Sequence, residues 1–172
     1  MSTLYLRQEL VKIAAQDVGQ VEASRNQGAA IKKFWPYTSY PGGYANREPY
    51  CAAAVCYWVC QWLELPGVQA ALGKPAAQLE LWRCQSAAAF GWLDWAKRKG
   101  VRVLSDSPSE VLHTGDIVVF DFSHIGILEG DKGDRIMTIE ANTGPAGGRD
   151  GDGIWRKGRP REIARAFIRI LE

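Results

Sequence analysis

The sequence predicts an α+β domain, with helices first and an antiparallel sheet after them. Two observations carry this. Apolar residues recur at helical spacing through much of the first hundred positions, and after Gly100 short apolar runs alternate with glycine and aspartate clusters. Segregation of helices from strands along a chain marks this class. At 172 residues, 47% of them hydrophobic and 23% charged, the chain can bury one core, and its composition argues against disorder. No internal repeat or linker-like stretch divides it, so residues 1–172 read as a single domain.

Leu6, Leu10, Ile13 and Ala14 place a helix within residues 4–18, stopped at Gly19. Pro36, Pro41, Gly42, Gly43 and Pro49 make residues 36–49 a loop. Pro49 is expected near the first position of the next helix, where its missing N–H costs nothing. That helix runs through Ala52, Val55, Val59 and Leu63 to a stop at Leu65-Pro66-Gly67. A second helical stretch lies within residues 76–99 and ends at Gly100. Strands are expected at Val101–Leu104, Ile117–Phe122, Ile125–Glu129, Arg135–Ala141, Ile154–Arg156 and Ala166–Leu171. Trp58 and Trp62, and Trp92 and Trp95, sit at helical spacings that suit a core.

The net charge of +2 is small and scattered, which argues against nucleic acid as a partner. No stretch has the apolar length of a membrane span, and the charged N-terminus does not read as a signal peptide. The chain is therefore expected to be made in the cytoplasm, with any export by another route. Cys51, Cys56, Cys60 and Cys84 form no Cys-x-x-Cys pair, so free thiols are expected and no structural metal.

Cys51 stands apart from the other thiols because it opens a helix. Helix N-termini carry partial positive charge and unpaired N–H groups, which favour a thiolate and can bind an oxyanion. His124 is the candidate base. If Glu129 and Arg135 flank a five-residue hairpin loop, the register sets His124 directly opposite Glu140, with Cβ atoms roughly 4.5–5.5 Å apart. Glu140 would then orient the imidazole, and Asn142, two residues on, is a second orienting candidate on the same face. Ile125, Ile127, Met137 and Ile139 would share the opposite, core face, leaving the His124 face to line a cleft. Asp116 and Asp121 are rival acids without so clear a relation to His124, and His113 reads as a turn residue.

With these residues the chain resembles the CHAP family, the cysteine- and histidine-dependent amidohydrolases and peptidases of bacterial and phage cell-wall lysis. The resemblance lies in Pro49–Val59 around the cysteine, Gly115–Phe120, His124–Ile127, Ile139–Thr143 and Gly151–Arg156, in that order. It implies a papain-like (CHAP/NlpC-type) fold with Cys51 as nucleophile, His124 as base, and Glu140 and Asn142 orienting it. It implies a peptidoglycan substrate, without choosing between amidase and endopeptidase, and action on the cell wall after holin-dependent release or delivery by a secretion apparatus. An immunity protein is the partner expected if the chain is a delivered toxin. A cysteine hydrolase of another substrate and a non-catalytic wall-binding module are the competing readings. Aromatic residues around the cysteine, Trp35, Tyr44 and Tyr50, are candidates for substrate binding, as is Trp155 by its place in the family pattern. Some family members hold calcium in an aspartate-rich loop before the cysteine. Here Tyr40–Tyr50 contains one acid, Glu48, so neither metal nor cofactor is expected. The segment Val68–Arg83 falls outside the resemblance.

Overall fold

The computed structural model describes residues 2–107, 109–144 and 151–172. Helix α1, Thr3–Ala15, is capped by Ser2, whose hydroxyl accepts from the Tyr5 N–H at 3.3 Å. It buries Leu6, Leu10 and Ala14 as one stripe. A single turn, α2 (Ala29–Lys32), and short 3₁₀ turns at Trp35–Tyr37 and Pro41–Gly43 fill the loop region. Helix α3, Cys51–Leu63, is apolar on nearly every side and buried accordingly. Pro49 lies two residues ahead of it, with Tyr50 at the cap position. Pro66 opens α4 (Pro66–Leu72), which the sequence reading did not anticipate, and left-handed Gly73 ends it.

The stretch 76–99 holds two helices rather than one, α5 (Ala76–Trp82) and α6 (Ala89–Lys99). Arg83 leaves helical geometry, and the Ser86 hydroxyl takes the Ala88 N–H at 3.2 Å, an alternative to continuing the helix. Gly100, at φ +66°, ends α6 in the left-handed conformation that glycine adopts at least cost.

Strands follow at β1 (Arg102–Leu104), β2 (Ile117–Phe120), β3 (His124–Asp131), β4 (Arg135–Thr143), β5 (Gly153–Pro160) and β6 (Ala164–Arg169). They form an antiparallel sheet in the order β1-β6-β2-β3-β4-β5. The fold is thus α+β, helices first. Helix α3 packs on β3 and β4, and Ile125, Ile127 and Ile139 join Trp58, Trp62 and Leu10 in the main core. Each such aliphatic side chain contributes roughly 1.5–3 kcal/mol by leaving water. Among the described residues, no helix is long and apolar enough to cross a membrane.

Three expectations about the sheet need correction. Gly126, not His124, stands opposite Glu140. The hairpin is shorter than expected and carries an irregularity between Leu128 and Gly130, and together these move the register by two residues. A shift of two keeps every side chain on its own face. The second correction concerns the face opposite the main core. It is no open cleft, because Phe120, Leu128, Ile136 and Phe167 build a second, smaller core there. Met137, expected in the main core, is only half-buried.

Candidate active site

Cys51 is the first residue of α3, where the early N–H groups have no partner within the helix. Cys51 lines a cleft of about 390 Å³ together with Trp35, Tyr40, Glu48, Ala88 and Ser123. His124 opens β3 directly after Ser123, whose φ of +60° turns the chain out of β2. The imidazole is fully buried and lies nearly parallel to the rings of Phe120 and Phe122, at centroid distances of 5.9 and 5.6 Å.

The Nε2 of His124 bonds the Glu140 Oε2 at 2.9 Å. This bond exists although the two residues are not directly opposed, and Gly126 explains how. A Cβ at Gly126 would sit 2.8 Å from the Glu140 Cγ. The missing side chain leaves the space in which Glu140 lies as it reaches diagonally to the ring. Of the two orienting candidates, Glu140 holds Nε2. Asn142 is buried at a bulge between Ala141 and Thr143, with a left-handed φ of +57°. The other ring nitrogen, Nδ1, is buried and makes no hydrogen bond among the described residues.

Glu140 has further partners that the sequence reading missed. Arg159 Nε donates to Oε1 at 3.0 Å and its NH2 group to Oε2 at 2.6 Å, while the Thr138 hydroxyl donates to Oε1 at 2.6 Å. The Arg159 guanidinium also lies 5.6 Å from the ring centroids of both Phe120 and Phe122. Thr138 could have been suspected from its place two residues before Glu140 on one strand face. Arg159 follows Lys157-Gly158, which reads as polar surface, and nothing in that composition announces a buried cation.

Electrostatics follow from these contacts. Burial works against a charged imidazole, but the interactions with Cys51 and Glu140 outweigh it and raise the His124 pKa from 6.5 to about 9. Burial likewise works against a charged Glu140, yet bonds from His124 and Arg159 hold its pKa down at about 2. Burial pushes Cys56 well up, Cys84 to about 11, and Cys60 upward. All four cysteines are free.

The rival acids are occupied elsewhere. Asp116 is buried against Arg169, and exposed Asp121 pairs with Arg165. Of the aromatic candidates, Trp35 lines the cleft, as does Tyr40. Tyr44, Tyr50 and Trp155 are not among its lining residues. Tyr50 is fully buried, the Tyr44 hydroxyl accepts from the Gly28 N–H, and the indole of Trp155 donates to Asp152. Among the described residues, no three His, Cys, Asp or Glu side chains gather as a metal site would require.

No family model and no curated protein matches the sequence. Among solved structures, the crystal structure of Ly7917 aligns with 94% of this chain at 16% identity, with a TM-score of 0.40. The chain spans 61% of that structure's length.

Proposed function

We propose that the protein is a papain-like cysteine amidase or endopeptidase that hydrolyses an amide bond in bacterial peptidoglycan. The observation that carries the hydrolase reading is the division of labour on His124. Nε2 is tied to a buried carboxylate, while Nδ1 carries no other bond and Cys51 is a principal cause of the ring's raised pKa. Only a ring held at one nitrogen and free at the other can exchange protons with a neighbouring thiol. The choice of peptidoglycan rests on the resemblance to the CHAP family.

In the proposed cycle the Cys51 sulfur attacks the substrate carbonyl, and the carbonyl oxygen becomes an oxyanion facing the first-turn N–H groups of α3. His124, protonated at Nδ1, gives its proton to the leaving amine as the C–N bond breaks. The acyl-enzyme remains. Neutral His124 then takes a proton from water, whose oxygen attacks the thioester carbon, and the acid leaves as Cys51 regains its thiolate. Glu140 favours the imidazolium and Arg159 keeps Glu140 ionised, both without touching the substrate. Release through a holin or delivery by a secretion apparatus would bring such an enzyme to the wall, and an immunity protein would guard a producer of a toxin.

The test is digestion of purified peptidoglycan by the wild type and by Cys51→Ala, with new ends read by mass spectrometry. New amine ends from the wild type alone, with at least about a 10³-fold loss in Cys51→Ala, are expected. Inert peptidoglycan together with labelling of Cys51 by a thiol probe would move the substrate outside the wall.

A further inference from the structure

One charged group in the cleft is unused by the chemistry above. Glu48 is the single carboxylate on the cleft lining, no lysine or arginine lines the cleft with it, and it is solvent-exposed. The ion pairs among the described residues do not engage it. It stands three residues before Cys51. Glu48 and Cys51 line the same cleft.

The backbone around Glu48 is braced. Arg47, just before it, has a left-handed φ of +56°, which side chains other than glycine rarely adopt. Buried Asn26, itself at φ +55°, donates its side-chain amide to the Arg47 carbonyl at 2.8 Å. The Asn26 N–H in turn donates to Glu22 at 2.6 Å. The Glu48 N–H donates to the Gly43 carbonyl at 3.0 Å. Gly43 packs so closely on Trp35 that a Cβ there would lie 2.0 Å from the indole. Two left-handed residues bonded to each other, and a loop seated on Trp35, itself a cleft residue, thus fix the backbone that carries Glu48.

We infer that Glu48 is a specificity-determining residue that binds a free primary amine on the substrate. This rests on the cleft at Cys51 being the substrate site, as proposed above. The ligand class is a peptide with an uncapped ammonium side chain near the scissile amide, which a wall stem peptide with a dibasic residue supplies. Acetylating that amine removes the charge and with it the attraction.

The test uses two synthetic stem tetrapeptides, both acetylated at the N-terminus, one with a free lysine amine at the third position and one with that amine acetylated. Binding to full-length Cys51→Ala protein is measured by calorimetry at low salt. The free-amine peptide should bind about fivefold more tightly, the scale of one partly exposed ion pair. The ratio should fall towards one in Cys51→Ala/Glu48→Gln, persist in Cys51→Ala/Glu48→Asp, and shrink with added salt. Equal affinities with Glu48 intact, including no measurable binding of either peptide, overturn the inference. So does a ratio that survives Glu48→Gln. Hydrolysis by the wild type is read separately. A binding ratio with purified peptidoglycan left uncut leaves the amine site standing and removes the wall hydrolase, whereas hydrolysis of both peptides at equal kcat/KM does the reverse.

Discussion

Among the described residues, two buried arginine–carboxylate pairs serve different ends. Arg169 grips Asp116 through Nε at 2.9 Å and its NH2 group at 2.7 Å. Arg159 grips Glu140 in nearly the same two-pronged way. Around Asp116 the remaining contact closes on backbone, because its second oxygen takes the His113 N–H at 2.8 Å while Arg169 also donates to the Val111 carbonyl. That pair pins the turn before β2 to β6. Around Glu140 the remaining contacts are the Thr138 hydroxyl and an imidazole whose far nitrogen stays open. A buried ion pair is by itself weak evidence of function. What separates these two is whether the charge has an outlet.

Mutation can break that comparison. Glu140→Gln should lower kcat by about 10²-fold or more, since the ring loses both its anchor and the charge that favours the imidazolium. Asp116→Asn should leave activity per folded molecule unchanged. Both should destabilise the fold by about 3–5 kcal/mol in denaturant melts, because each leaves an arginine buried without its carboxylate. An Asp116→Asn protein that unfolds no more easily but loses kcat would overturn the assignment of a purely structural role.

A pH series sharpens the same contrast. The His124 pKa is raised on folding from 6.5 to about 9, so its stabilising contribution is complete below about 6.5 and vanishes as pH rises through about 9. Glu140 is held down at about 2 from 4.5, so its contribution is complete above about 4.5 and vanishes as pH falls through about 2. Stability due to this pair should therefore be greatest between about pH 4.5 and 6.5. Activity should fall as pH rises through about 9, where the imidazolium that protonates the leaving amine is lost. Thermal melts and kcat/KM profiles of wild type and His124→Gln would reveal both trends.

Much of this site was legible before any coordinates. Cys51 could be singled out because its position at a helix start differs in kind from that of Cys56, Cys60 and Cys84. Glu140 could be paired with His124 from a hairpin register that was itself two residues off, since strand periodicity forgives an error of two and would not have forgiven one. The order of strands in the sheet was not legible, because it depends on how β6 inserts between β1 and β2, contacts far apart in sequence. Arg159 was hidden for a related reason. Its burial is decided by Phe120, Phe122 and Glu140 on other strands, and nothing in its own neighbours records that.

Gly126 has a consequence that reaches beyond its strand. Its φ is not left-handed, so alanine would suit the backbone there and by strand propensity alone would be a neutral or favourable exchange. The conflict lies entirely with the Glu140 side chain and the Ile139 carbonyl, both 2.8 Å from where a methyl would stand. Gly126→Ala is therefore expected to misaim the histidine and to strain the sheet at the Ile139 carbonyl, visible as a lowered kcat per folded molecule together with a lowered melting temperature. The absence of a single methyl group sets the aim of the base.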